Sequence, residues 1–155
     1  MSLSNLKIQP DRKTAREGND ETLGHKIAKA AGYVYRMIGP GLDKRVYKQC
    51  LIAELENAGL NVETDATVSI HFRDKTINPA FYIDIMVEDS VMVFVKSDAA
   101  SDMDKHVIRT YMRQSKKSEA FMINFGLADF KDAITHARVK TGSIHANKNV
   151  SSSVN

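Results

Sequence analysis

Two short apolar segments near the middle of the chain constrain the fold more than any other part of the sequence. Residues 81–87 (FYIDIMV) and 91–96 (VMVFVK) are rich in β-branched and aromatic residues, and a polar turn at 88–90 separates them. Each segment carries one charged residue, Asp84 in the first and Lys96 in the second. A charge among apolar residues is costly unless it is paired or binds a ligand. The segments therefore predict two buried, adjacent strands and a candidate functional site at Asp84.

Strand alternation predicts which residues share a face of these two strands. In the first strand, Phe81, Ile83, Ile85 and Val87 are expected on one face and Asp84 on the other. In the second strand, residues 91, 93 and 95 are expected on one face, and residues 94, 96 and 98 on the opposite face.

Helical periodicity precedes the strands. Apolar residues recur at helical spacing over 21–38, where Gly39-Pro40-Gly41 ends the segment, and again over 42–58, where Gly59 is placed to end the helix. Residues 62–72 alternate as a strand does, and 73–75 form a polar turn. The pattern predicts two helices joined at a tight corner, followed by strands.

The second half of the chain is predicted to hold a third helix from Ser101 or Asp102 to Lys117, a buried strand over 120–125, and a last helix from Asp129 to about Val139. The resulting order is ααβββαβα. Helices and strands mixed in this way are typical of an α/β or α+β protein, whose central sheet is flanked by helices.

The composition is that of one packed domain, with 43% hydrophobic and 26% charged residues. We expect a flexible basic arm over residues 1–20, a folded domain over 21–140 and a flexible tail, rich in Ser and Asn, over 141–155. The sequence has no apolar run long enough for a membrane span and no secretory signal, so we expect a cytoplasmic protein without a membrane partner. Cys50 is the single cysteine and cannot form an internal disulfide.

Motifs from residue 27 to residue 139 give the chain a family resemblance. These motifs are Ala30-Ala31, Gly39-Pro40-Gly41-Leu42, Val46-Tyr47, Cys50-Leu51, Glu54-Leu55, Gly59-Leu60, Asp84, Val87-Glu88-Asp89, Val93, Lys96, Thr110-Tyr111, Ile123-Asn124-Phe125-Gly126 and Lys131-Asp132. In this order and spacing they resemble the GxxExxY family of the PD-(D/E)XK nuclease-like superfamily. The resemblance implies an αβββαβ core with a mixed central sheet flanked by helices, and with the active site on one face of that sheet.

The sequence departs from the family pattern at the residues that carry its chemistry. In active members of such nucleases, an Asp and a Glu hold a divalent cation, a lysine two positions after the Glu helps to activate water, and an acid on the first core helix completes the site. Here Phe94 stands at the position of the Glu, and Lys44 stands at the position of the helical acid. Asp84, Lys96, Tyr47 and Tyr111 are what remains of the family site.

One carboxylate cannot satisfy magnesium, which requires several hard oxygen ligands in near-octahedral geometry. We therefore predict a vestigial site with no catalytic residues and no metal or other cofactor, and with Asp84 as the sole candidate ligand. In place of the metal, we expect an ammonium group of Lys44 or Lys96 within ion-pair distance of Asp84, and the ring of Phe94 in the space of the lost carboxylate. The alternative is an active nuclease that holds Mg²⁺ or Mn²⁺ through displaced acids such as Asp98 or Glu54.

Two groups of basic residues favour nucleic acid as a partner, although the whole chain has a net charge of only +3. Lys105, Arg109, Arg113 and Lys117 recur every four residues and are predicted to form one row along the third helix. Lys44, Arg45 and Lys48 begin the second helix, where cations are unfavourable and an anion is welcome. A solvated helix face is the simpler interpretation of the row.

These features predict a catalytically degenerate nuclease-like protein that acts as a nucleic-acid-binding or protein-interaction module, with DNA or RNA as the nucleic acid. The alternatives are the active metal-dependent nuclease and a structural or oligomeric scaffold protein. The sequence leaves homo-oligomerisation open.

Overall fold

A computed structural model describes residues 21–99 and 101–139. The predicted arm over 1–20 and tail over 141–155 lie outside the described residues. The elements in chain order are α1 (Leu23–Ile38), α2 (Lys44–Asn57), β1 (Val62–Phe72), β2 (Lys75–Val87), β3 (Val91–Lys96), α3 (Asp104–Ser115), β4 (Glu119–Asn124), a 3-10 helix (Phe130–Asp132) and β5 (Ile134–Arg138). Within this part of the chain, none of the helices has the length and apolar character needed to cross a membrane.

The corner between α1 and α2 is fixed by a buried tyrosine. Gly39 and Gly41 adopt positive φ angles of 80° and 109°, a backbone conformation that glycine reaches without steric cost. The hydroxyl of Tyr47 donates a hydrogen bond to the carbonyl of Gly39 at 2.6 Å and accepts one from the amide of Leu42 at 3.0 Å. Because the ring of Tyr47 also stacks on Phe125 at 4.7 Å, it ties the corner to the end of β4.

The five strands form one mixed sheet in the order β1-β2-β3-β4-β5. All neighbours are antiparallel except β3 and β4, which are parallel and are connected by α3. The predicted fold class, an α+β protein with a mixed central sheet and flanking helices, is confirmed.

Helices cover both faces of the sheet. On one face, buried residues of α1 and α2 pack against Val91, Val93 and Val95 of β3. On the other face, Ile108 and Met112 of α3 pack against Met92 and Phe94. The predicted alternation of β3 is therefore confirmed, and α2 and α3 lie on opposite sides of the sheet.

The predicted last helix over 129–139 is wrong. Asp129 caps only a single 3-10 turn, by accepting a hydrogen bond from the amide of Lys131 at 3.1 Å. Residues 134–138 then form β5, which pairs with β4. The ring of His136 stacks on Phe121 of β4 at 4.3 Å, so cross-strand contact outweighs the helical spacing of this short segment.

The predicted alternation of β2 fails at Asp84. Ile83 packs with α3, whereas Ile85 packs on the opposite face with α1 and α2, although a regular strand would place both on one face. Across from Asp84, between the paired residues Thr64 and Ala66 of β1, Asp65 has a positive φ of 54°. The two strands therefore change face together at this level of the sheet.

Two glycines provide a test of the packing, one after the end of β4 and one in α1. A Cβ at Gly126 would lie 2.6 Å from the backbone of Ser97, whereas a Cβ at Gly32 would meet only the ends of Arg36 and Phe130, at 3.4 and 3.6 Å. We expect Gly126→Ala to lower the free energy of unfolding by about 1–3 kcal/mol, because backbone atoms must move. Gly32→Ala should raise it by up to about 1 kcal/mol, since alanine favours the helix. Urea denaturation of both variants measures this difference, and equal effects would contradict the packing.

Candidate functional site

The candidate site lies where β2 separates from β3. The two strands pair from Ile85–Val93 to Val87–Val91, and the next residue of β2 is Asp84. Instead of continuing the backbone pairing, the Oδ2 atom of Asp84 accepts a hydrogen bond from the amide of Val95 at 2.9 Å. The carboxylate is buried, with 12% of its side chain exposed. It thus satisfies a backbone donor that the separation of the strands leaves without a ladder partner.

Lys44 forms the ion pair that the sequence predicts. Its Nζ atom lies 3.2 Å from Oδ2 of Asp84, and about half of its side chain is exposed. Lys44 is the first residue of α2, directly after Asp43, whose side chain caps the helix by accepting from the amide of Arg45. A cation in the first turn of a helix is unfavourable by itself. The carboxylates of Asp43 and Asp84 compensate for that position.

A second lysine–aspartate pair lies beside the first one. Asp65 stands opposite Asp84 in the register of β1 and β2, between the pairs Thr64–Ile85 and Ala66–Ile83. Lys48, one helical turn after Lys44, forms an ion pair with Asp65. Like charges at facing positions of two strands repel each other. The two lysines on one side of α2 therefore neutralise the two aspartates across β1 and β2.

Lys96 does not reach Asp84. Its ammonium lies on the α3 side of the sheet, 2.9 Å from Asp104 and 3.4 Å from Asp98. Burial by itself lowers the pKa of Lys96, but the hydrogen bond and charge of Asp104, together with Asp98, outweigh burial and raise the pKa above its usual value. Lys96 therefore stays charged and holds the first turn of α3 to the end of β3.

Phe94 and Tyr111 belong to an aromatic cluster rather than to the surroundings of an ion. The ring of Phe94 is 5% exposed and lies 4.9 Å from Tyr111, which in turn stacks on Phe81 at 4.3 Å. This cluster packs α3 against β2 and β3. Tyr47, the other tyrosine of the family motif, uses its hydroxyl at the corner between α1 and α2.

These donors do not fit a divalent cation. Asp84 supplies one carboxylate, whose Oδ2 atom already accepts from Val95 and lies beside the ammonium of Lys44. Asp98, the acid expected as a replacement ligand, pairs with Lys96 instead. Within 21–99 and 101–139, no three Asp, Glu, His or Cys side chains come together in an arrangement that could hold a metal ion. A magnesium ion requires several free oxygen ligands.

The basic row on α3 is shorter than predicted. The helix ends at Ser115, and Lys116 follows with a left-handed φ of 61°. Lys117 therefore leaves the row, and its ammonium donates to the carbonyl oxygen of Asp89 at 2.8 Å. The residues that remain on the row are exposed and carry no ion pair with any carboxylate of the described chain: Lys105, Arg109 and Arg113.

The second basic group is separate from this row. Lys44 and Lys48 are engaged by aspartates, which leaves Arg45 as its exposed cation without an ion pair in the described part of the chain. Since α2 and α3 lie on opposite sides of the sheet, the two groups do not form one continuous surface.

Sequence reasoning missed Asp65 and Asp104, the partners of Lys48 and Lys96. Asp104 stands two or three residues after the expected helix start at Asp102 or Ser101, where an acid also suits the helix dipole. Asp65 lies in a strand whose alternation is loose, and nothing in its neighbours predicts its register against Asp84. The four-residue spacing of Lys44 and Lys48 was the feature of the sequence that could have indicated a second acidic partner, because both lysines must project from one side of α2.

Comparison with known proteins adds one finding. A family model described as the PD-(D/E)XK nuclease superfamily matches residues 21–137, which include all the helices and strands described above except the last residue of β5. A search of curated proteins gives no match.

The Lys44–Asp84 pair can be measured by a double-mutant cycle. We expect Lys44→Met to destabilise the native protein by about 1 kcal/mol and to have little effect in an Asp84→Asn background, because the asparagine keeps the acceptor for Val95 without the charge. Arg45→Met is the matched control and should have the same small effect in both backgrounds. Chemical denaturation gives all the values. If Lys44→Met lowers the free energy of unfolding equally in the native and Asp84→Asn backgrounds, the two side chains do not form a stabilising ion pair.

Proposed function

Because the chain belongs to the PD-(D/E)XK nuclease superfamily, we propose that it is a catalytically degenerate member of the GxxExxY family that binds nucleic acid without cutting it. The loss of cleavage is supported above all by the position of the Lys44 ammonium, which lies 3.2 Å from Oδ2 of Asp84. In active members, the aspartate at the position of Asp84 and an acid at the position of Lys44 would face a divalent cation. A lysine at that position brings a positive charge to Asp84 and removes an oxygen ligand.

One further substitution and the position of one retained residue support the same conclusion. Phe94 stands where active members have a carboxylate, and its ring is buried in an aromatic cluster with Tyr111. Lys96, which corresponds to the lysine that helps to activate water, is held by Asp104 and Asp98 on the α3 side of the sheet. The arrangement therefore lacks the ligands to hold a metal ion and lacks a free lysine to activate a water molecule beside that ion.

Nucleic-acid binding rests on the row of Lys105, Arg109 and Arg113. Successive members of the row are about 6 Å apart on the helix surface. Like charges at this spacing repel each other, and an anionic polymer relieves the repulsion with release of its counterions. We therefore propose that the row contacts the phosphate backbone of nucleic acid, in a way that depends on salt and not on base sequence. Arg45 lies on the opposite side of the sheet and does not take part in this contact.

The cleavage part of the proposal predicts an inactive protein. Plasmid DNA and single-stranded RNA should stay intact when incubated with the purified chain and either Mg²⁺ or Mn²⁺, because the site lacks the ligands for either ion. Asp84→Asn is the control for contaminating nucleases, since any residual cleavage should be identical in that variant. Metal-dependent cleavage that disappears in Asp84→Asn would establish the alternative, an active nuclease with displaced ligands.

The binding part predicts that removal of the three charges on α3 weakens binding. For the variant Lys105→Gln/Arg109→Gln/Arg113→Gln, the plot of log affinity for duplex DNA against log salt should become shallower by about 2.7, or about 0.9 for each lost phosphate contact. A control with equal charge, Lys26→Gln/Arg36→Gln/Lys131→Gln, removes cations from the other side of the sheet and from the 3-10 turn, and should bind as the native protein does. Fluorescence anisotropy at several salt concentrations measures both. If the native protein binds neither DNA nor RNA at low salt, a protein scaffold is favoured.

A further inference from the structure

The longest two strands extend beyond the rest of the sheet as a two-stranded ribbon. β1 and β2 contain 11 and 13 residues, but β2 pairs with β3 only from Ile85 to Val87. The remainder of β2 pairs with β1 alone. All residues from 71 to 79 are exposed, so neither a helix nor another strand of the described chain covers this part of the ribbon.

The ribbon exposes large apolar side chains. Phe72 is 62% exposed and Ile77 is 49% exposed. The register pairs Phe72 with Lys75 and Ile70 with Ile77, which places these four residues on one face of the ribbon. An isolated two-stranded ribbon is marginally stable in water, and an exposed cluster of apolar residues on it indicates a contact surface.

The tip of the ribbon combines this apolar face with positive charge. Arg73 and Asp74 form the turn and Lys75 follows it, and neither cation forms an ion pair with a carboxylate of the described residues. The guanidinium of Arg73 lies 5.6 Å from the centre of the Phe72 ring. An aromatic ring beside cations is the combination that proteins use for single-stranded nucleic acid, in which bases stack on rings and cations contact phosphates.

The position of the ribbon relates it to the proposed function. β2 runs antiparallel to β3, so the exposed part of β2 projects past the end of β3 that carries Val95 and Lys96. This is the end of the sheet at which Asp84 and Lys44 meet and at which α3 begins, held by Lys96 and Asp104. The ribbon therefore lies at the end of the sheet at which the basic row on α3 begins.

We infer that the tip of the β1–β2 ribbon binds unpaired bases of a single-stranded nucleic acid, with Phe72 as the stacking platform and with Arg73 and Lys75 on the adjacent phosphates. This inference rests on the proposed function and deepens it, because it names the class of nucleic acid. The row on α3 supplies contacts that any strand or duplex offers, and the ribbon supplies the preference for unpaired bases.

The test compares a labelled single-stranded oligonucleotide with the duplex of the same sequence by fluorescence anisotropy. Phe72→Ala should weaken binding of the single strand about tenfold and leave binding of the duplex unchanged, because only unpaired bases offer a free face for stacking. Phe72→Tyr should restore binding to within about twofold. Met37→Ala removes an equally exposed apolar side chain from α1 and is the matched control, with no expected effect on binding.

Removal of the charges at the tip should change the salt dependence of binding, which removal of the Phe72 ring should not. Arg73→Gln/Lys75→Gln should make the salt dependence of single-strand binding shallower by about 1.4, whereas Phe72→Ala should leave that slope unchanged. Circular dichroism and urea denaturation of each variant report whether the fold is intact. Since the substituted side chains are exposed, the free energy of unfolding should change little.

The outcomes separate this inference from the function on which it rests. If the ribbon variants bind single strands as the native protein does, while loss of the three α3 charges weakens binding, the ribbon inference is wrong and the proposed function stands. An equal effect of Phe72→Ala on single strands and duplexes also overturns base stacking. If Phe72→Ala alters the sedimentation coefficient and not the affinity, the ribbon binds a second copy of the chain. A native protein that binds no nucleic acid overturns both proposals.

Discussion

The ion pair between Lys44 and Asp84 is the interaction on which the site depends. Asp84 stands where β2 separates from β3, and its carboxylate accepts from the amide of Val95 that the separation leaves without a strand partner. A buried carboxylate at such a place requires a counter-charge. Lys44 supplies it from the first turn of α2, and Lys48 does the same for Asp65 on the facing strand. The end of the sheet is thereby neutralised by the protein's own side chains.

Much of this arrangement could be predicted from the sequence because it follows from local rules. The alternation of 91–96 predicts the two faces of β3, and the Gly-Pro-Gly corner predicts the end of α1. The substitution of a lysine for an acid at position 44 predicts an ammonium near Asp84, which is confirmed at 3.2 Å. Each of these inferences needs only the properties of neighbouring residues and the resemblance to a known fold.

The features that were missed depend on long-range pairing. Residues 134–138 form β5 because β4 offers an open edge, and the sequence of the segment does not contain that information. Asp65 meets Lys48 through the register of β1 and β2 and a left-handed residue in β1, and Ile83 changes face for the same reason. Lys117 leaves the basic row because α3 ends at Ser115, two residues earlier than predicted. Lys96 pairs with Asp104 because α3 crosses the end of β3.

The proposal that the ammonium of Lys44 stands beside Asp84 in place of a divalent cation is tested most directly by Mn²⁺ titration with isothermal calorimetry. The native chain should give no saturable heat, because Asp84 pairs with the ammonium of Lys44, whereas Lys44→Glu, which puts a second carboxylate beside Asp84, should bind Mn²⁺. Lys44→Gln, which removes the ammonium without adding an acid, is the control and should bind none. Stoichiometric Mn²⁺ binding by the native chain that is lost in Asp84→Asn would contradict the account.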